Sequence, residues 1–217
     1  MPAMPHLATR FCLVRHGETD WNAERRLQGQ LDIPLNAQGQ RQARQLADAV
    51  AAAGHRFDAL YSSPLRRAFD TAVPLAHAVG LPLATDAALM ERHFGAMQGA
   101  RLDEAAHTHP AAWAAYSERS LQHDLYGGES IQAFADRIHG AVRQLADAHR
   151  GQRVLLVAHG GVLDMIYRLA SGQPLQGQRM IVVPNASLNW LSFDGERWQV
   201  DLWADTRHLG ETALDEI

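Results

Sequence analysis

The chain has 217 residues, 47% of them hydrophobic, which suits one domain, 1–217, with a sizeable core and room for a small insertion. Its formal net charge of -4 gives no reason to expect a nucleic-acid partner, and the single cysteine, Cys12, excludes an internal disulfide and fits a reducing compartment. All 20 basic residues are arginine, and the absence of lysine excludes a Schiff base, a pyridoxal phosphate anchor and a phosphate-loop lysine.

Any bound anion must therefore be held by arginine, histidine, backbone amides or a metal; arginine suits this, because its planar fork grips phosphate or carboxylate through two parallel hydrogen bonds. The opening MPAMPHLATR lacks the apolar core of a signal peptide. No apolar run approaches the roughly 20 residues that span a bilayer. A cytoplasmic protein without a membrane partner is the expectation.

In chain order, FCLV (11–14) reads as a buried strand. NAQGQRQARQLADAVAAAG (36–54) has helical spacing and stops at Gly54, and FDALYSS (57–63) is a second strand. PLRRAFDTAVPLAHAVG (64–80) reads as a helix opened by a first-turn proline, with Pro74 expected to kink it or break its hydrogen-bond ladder. LPLATD (81–86) is a short third strand, and 100–128 is irregular with small helical pieces. ESIQAFADRIHGAVRQLADAHRG (129–151) is a long amphipathic helix. RVLLVAH (153–159), apolar on both faces, belongs at the centre of a covered sheet. GGVLDMIYRLASG (160–172) is a helix and MIVVP (180–184) a strand. SLNWLSFDGERWQVDLW (187–203) alternates around Asp194-Gly195, a hairpin signal, and the last residues, DTRHLGETALDEI, read as a short docked helix or a loose tail. The sum is an α/β fold, a three-layer α/β/α sandwich with a mostly parallel sheet, a C-terminal antiparallel hairpin and a small helical cap insertion over about 92–128.

Ligands of such sheets bind beyond the carboxyl ends of the strands. There the sequence places Arg15 and His16 after strand one, Ser62, Ser63, Arg66 and Arg67 after strand two, Glu91 beyond the third, and His159 with Gly160 and Gly161 after the strongest strand. Arginines and a glycine-opened helix make an anion site. A histidine there can attack phosphorus while arginines neutralise the developing charge, and a carboxylic acid can protonate the leaving oxygen and then activate water. A cysteine phosphatase needs arginine six positions after its cysteine, where this chain has Glu18. No Asp-x-Asp pair follows a strand, and no Gly-x-x-x-x-Gly-Lys loop exists.

LVRHGETDWN, SSPLRRAFDTA, GESIQAFADRI and LLVAHGGVL, in this order and spanning about residues 11–190, resemble the motifs of the histidine phosphatase superfamily, the phosphoglycerate-mutase-like proteins. The resemblance implies that His16 is the phosphorylated nucleophile. It implies that Arg15, Arg67 and His159 hold the phosphoryl group, that Asn22 adds a contact, and that Glu91 is the general acid and base. Arg67, directly before Ala68, matches the family arginine, and Arg66 falls on a variable position. Gln28, Gly29 and Gly160 complete the candidate phosphate-binding set. No metal and no cofactor are implied. Glu18 and Thr19 are read as loop organisers, and Gly17 as leaving room for the phosphoryl group. His107 and His109 have the spacing of a metal pair, with His93 and His123 nearby, but no cysteine or acidic partner completes a site.

The implied function is a phosphatase of small phosphomonoesters working through phosphohistidine. A phosphoglycerate mutase and a non-catalytic binding module are the alternatives. ERHFGAMQG resembles the mutase form of the glutamate motif, and YGGES the phosphatase branch. The oligomeric state, monomer or homodimer, stays open.

Overall fold

A computed structural model describes residues 7–210 and Leu214. Six strands, β1 (Thr9–Arg15), β2 (Ala59–Ser62), β3 (Leu83–Thr85), β4 (Arg153–Ala158), β5 (Leu188–Phe193) and β6 (Trp198–Asp205), form one sheet in the order β3-β2-β4-β1-β5-β6. The first four are mutually parallel, β1 pairing with β4 from Arg10↔Arg153 to Arg15↔Ala158; β5 and β6 add the antiparallel hairpin.

Strand periodicity builds the layers. Phe11 and Leu13 of β1, with Val154 and Leu156 of β4, face α6 (Ile131–Ala148) and α7 (Gly160–Ser171). Cys12 and Val14, with Leu155 and Val157, face α2 (Ala37–Ala52) and α3 (Arg66–Val79). Burial on both sides is why these strands read as unbroken apolar runs, and it pushes the Cys12 thiol far above its ordinary pKa. Between β3 and α6 the chain forms two 3₁₀ turns, α4 (Ala105–Thr108) and α5 (Pro110–Ser117), which with Leu27, Met97, Ala100 and Ala112 enclose a small third core. A four-residue helix, α1 (Asp20–Ala23), follows β1. None of the described helices is long and apolar enough to cross a membrane.

Two expectations are corrected. MIVVP is not a strand: β5 already occupies the free edge of β1, and the segment crosses the sheet rim instead, with Val183 buried. Its carbonyls are taken by side chains, Val183 by Arg15 Nη1 at 2.5 Å and Val182 by Trp203 Nε1 at 2.9 Å. Pro64 lies ahead of α3, whose N-cap is Leu65. Pro74 lies inside that helix, which runs on to Val79; the ladder bond it removes, as expected, is the one to the carbonyl of Asp70, at a partly exposed position. Much of the C-terminal stretch read as helix or tail, 211–213 and 215–217, and residues 1–6 of the leader reading lie outside the described residues.

Candidate active site

The connections set the site. From β1 the chain turns to the α2/α3 face, from β4 to the α6/α7 face, and β1 and β4 are neighbours. Loops that diverge from adjacent parallel strands open a crevice at their carboxyl ends. Arg15 and His16 enter it from β1 and His159 from β4; the His16 and His159 ring centroids are 5.2 Å apart. The crevice opens into a cavity of about 430 Å³ lined by Arg15, His16, Asn22, Gln28, Gly29, Arg67, Glu91 and Gly160 among others.

His16 is held at both ends. Its backbone N–H donates to the Ala158 carbonyl at 3.0 Å, prolonging the β1/β4 ladder, and its carbonyl accepts from Asn185 Nδ2 at 2.9 Å. Its ring Nδ1 lies 2.7 Å from the Gly17 carbonyl. A carbonyl can only accept, so Nδ1 carries the proton and Nε2 keeps its lone pair. Burial, then the Arg67 and Arg15 charges, hold the His16 pKa well below its ordinary value, so the ring is neutral at physiological pH. His159 is lowered likewise, by burial first and then by Arg67, His16 and Arg15.

His159 is oriented from β2: its Nε2 is 2.8 Å from Ser63 Oγ, while its buried Nδ1 has no protein partner. Arg67 enters from the first turn of α3 and is 1% exposed, its two terminal nitrogens donating to the carbonyls of Leu31 at 2.8 Å and Gly29 at 2.6 Å. Its Nε is buried without a partner. Burial lowers its pKa to about 10, opposed by Glu91 and Asp32, so it stays cationic at neutral pH. Arg66, one residue earlier, points outward to Asp70 with 63% of its side chain exposed.

The Glu91 carboxylate accepts the Arg92 N–H at 2.8 Å and the Gly161 N–H at 2.9 Å, which joins the segment after β3 to the start of α7. A Cβ at Gly161 would fall inside the van der Waals envelope of that carboxylate; at Gly160 it would meet Arg15 only at ordinary contact. Gly161, outside the candidate set, is thus the glycine this contact requires. Asn22 belongs to a capping box with Thr19, whose N–H and hydroxyl both bond its Oδ1 at 3.0 Å, leaving the amide Nδ2 for the cavity. Gln28 is buried with its Oε1 unpartnered.

The reading of Gly17 is corrected. A Cβ there would lie 2.6 Å from the Gly39 carbonyl, and the Gly17 N–H is already bonded to Thr71 Oγ1 at 2.9 Å. The glycine makes room for the first turn of α2 rather than for a ligand. Glu18 organises that contact, accepting from Asn36 Nδ2 at 2.9 Å.

Tyr116 and the cap cation Arg119 line the cavity, and the structure adds Asp164, 3.1 Å from Arg119, and Arg179. Nothing in their spacing brings cap, α7 and the loop after it together. The cap histidines organise their own turns: His93 Nδ1 accepts from the Gly95 N–H at 3.1 Å and His123 Nδ1 from the Leu125 N–H at 2.8 Å. Among the described residues no three His, Cys, Asp or Glu side chains converge as a metal site.

Comparison with known proteins agrees with this geometry. The model of the histidine phosphatase superfamily (branch 1) matches residues 11–206, and the chain belongs to that family. Phosphoglycerate mutase-like protein 4 of Arabidopsis thaliana is 40% identical over 93% of this chain and 87% of its own length. The metal-independent phosphoserine phosphatase of the same plant is 40% identical over 95% and 85%. A mycobacterial glucosyl-3-phosphoglycerate phosphatase, solved with VO3, superposes with a TM-score of 0.80 at 33% identity, covering 91% of this chain and 99% of that one.

Proposed function

We propose that the protein is a metal-independent phosphatase of small phosphomonoesters that works through phosphohistidine on His16. The observation that carries the proposal is the His16 tautomer: Nδ1–H is committed to the Gly17 carbonyl, and the neutral ring offers Nε2 between two buried arginines. Nε2 attacks phosphorus as the ester P–O bond breaks, and Glu91 gives its proton to the leaving oxygen. Arg15, Arg67 and Asn22 donate to the phosphoryl oxygens, with His159 Nδ1 and the α7 N-terminus at Gly160 behind them. Water then attacks the phosphohistidine while the Glu91 carboxylate takes its proton, and phosphate leaves with His16 restored. The orphaned Arg67 Nε and His159 Nδ1 support this arrangement, because buried polar groups are ordinarily paired and a phosphoryl group supplies acceptors. The phosphatase names of two relatives support hydrolysis as the second half-reaction.

The mutase-like relative supports a second reading, in which the phosphoryl group returns to another hydroxyl. Measuring phosphate release beside isomerisation of 2- and 3-phosphoglycerate separates the two. Phosphate release is expected to dominate; isomerisation far outrunning it would replace the phosphatase reading. EDTA is expected to leave activity intact, and a loss restored by a divalent metal would overturn the metal-free chemistry.

A further inference from the structure

Of the four sequence motifs, GESIQAFADRI (128–138) alone supplies no group to the reaction. Its two charged ends, Glu129 and Arg137, are nevertheless partly buried and joined. Arg137 Nε donates to Glu129 Oε1 at 2.8 Å and its Nη2 to Oε2 at 2.7 Å, the paired geometry of a guanidinium on a carboxylate. Neither side chain lines the cavity, so neither is placed to touch a substrate.

What the pair does touch is the backbone on either side of Glu91. Residues 91–94 belong to no helix or strand, so their polar groups have no ladder to enter. Arg137 Nη1 donates to the carbonyls of Ala88 at 2.8 Å and Met90 at 2.9 Å, and Nη2 reaches the carbonyl of Glu91 itself at 3.4 Å. On the other side Glu129 Oε2 accepts the His93 N–H at 2.9 Å. The Glu129 backbone completes the seam: its N–H donates to the His93 carbonyl, and its carbonyl accepts Arg92 Nε, both at 2.8 Å. The guanidinium is carried by α6 and packs 5.1 Å from the centre of the Phe134 ring, so a packed helix holds the segment.

We infer that Arg137 and Glu129 are positioning residues for proton transfer: together they clamp the irregular segment 88–93 so that the Glu91 carboxyl group stands at the leaving oxygen. The inference rests on the phosphatase reading above, in which Glu91 is the acid and base. The two bonds to the Glu91 carboxylate itself, from the N–H groups of Arg92 and Gly161, fix its orientation only while the backbone behind it stays in register with α7. A displacement of about 1 Å in a reacting group costs on the order of 10²-fold, and the clamp is the device that prevents it. It acts on the proton transfers and not on the phosphoryl-binding groups, which hang from other elements.

The test uses leaving groups that differ in their need for a proton. An alkoxide, as from glycerol 3-phosphate, must be protonated as it departs, whereas p-nitrophenolate leaves as the anion. Arg137→Gln is expected to lower kcat/KM for glycerol 3-phosphate about 10²-fold and that for p-nitrophenyl phosphate by no more than about threefold, with vanadate inhibition retained. Glu129→Gln keeps the side-chain shape and is expected to show the same selectivity at about 10-fold; it carries the test if Arg137→Gln does not fold. Arg143→Gln, exposed further along α6, serves as the control and should change neither value. Because the clamp works through Glu91, Glu91→Gln combined with Arg137→Gln should be no slower on glycerol 3-phosphate than Glu91→Gln alone. An equal loss on both esters, no loss on either, or additive losses in the double variant would overturn the inference and leave the role of Glu91 standing. A Glu91→Gln variant indifferent to the leaving group would overturn the acid assignment and the inference with it.

Discussion

The two ends of the cavity are built by different means. The phosphoryl end consists of strand ends and the first turns of helices, and its groups, Arg15, His16, Arg67 and His159, are at most 3% exposed. Each is held by a hydrogen bond from outside its own element: Arg15 to the Val183 carbonyl, the His16 N–H to the Ala158 carbonyl, Arg67 to the carbonyls of Gly29 and Leu31, and His159 to Ser63 Oγ. The far end consists of short helices and loops around a small core of its own, and its charges hold one another, as Arg119 and Asp164 do. The first construction gives rigid donors that need no reorganisation when charge develops in a transition state. The second can change residue by residue without disturbing the sheet, which suits a surface that selects among substrates.

If that division is right, substitutions at the phosphoryl end strike every substrate and the chemical step. Arg67→Ala is expected to cost about 10²- to 10³-fold in kcat on any ester and to weaken vanadate binding. Its neighbour Arg66→Ala serves as the internal control and should stay within about twofold, since its side chain is a surface ion-pair partner. Equal effects at the two positions would dissolve the distinction between cavity and surface arginine.

Gly161→Ala probes the seam between the two ends. Its methyl group would collide with the Glu91 carboxylate, and a displaced acid is expected to cost about 10²-fold in kcat while vanadate binding holds. Steady-state kinetics beside vanadate inhibition tests this, and a matched loss in both would mean that Glu91 contributes to binding rather than proton transfer.

At the cap end, Asp164→Asn removes the anion between Arg119 and Arg168 and is expected to lower unfolding free energy by about 3 kcal/mol, read by denaturant titration. Arg168 also donates to the carbonyls of Gln176 and Gln178, at 3.3 and 3.1 Å, so the loop carrying Arg179 should loosen with it. The effect on kcat is expected to be smaller than that of Arg67→Ala.

A subtler contrast is the response to acid. His16 and His159 are buried and neutral, with folded pKa values well below the ordinary value near 6.5. The unfolded chain takes up protons below that value and the folded chain does not, so the stability these groups contribute is present above about pH 6.5 and is lost as pH falls beneath it. Thermal unfolding between pH 7.5 and 5 should therefore show a steeper acid loss in the wild-type protein than in His159→Ala. Parallel slopes would indicate that the ring is not held neutral by the fold.

How much of this was visible in the residues follows the same division. β1 and β4 announced themselves because burial on both faces leaves an unbroken apolar run, and the residues just past them had to reach the rim. MIVVP shows the limit of that signal: an apolar run reports burial, and a segment buried against a rim by side-chain donors from Arg15 and Trp203 looks the same as a strand. Arg66 and Arg67 could be separated by the motif alone, but only the turn of α3 shows why, one facing Gly29 and the other Asp70. Gly17 and Gly161 look alike as glycines one and two residues after histidines, yet their space is filled by the backbone of α2 and by Glu91 respectively. Arg119 and Asp164 are 45 positions apart on elements with no shared periodicity, and nothing short of the fold pairs them.

The central claim is that His16 is the nucleophile, and the most direct measurement is to trap it phosphorylated. Incubation with a labelled phosphomonoester and a rapid quench should give a phosphoprotein that is labile in acid and stable in base, with the label on His16, and none in His16→Ala. A wild-type protein that turns over the ester without ever carrying label, or a His16→Ala variant that still carries it, would contradict the account.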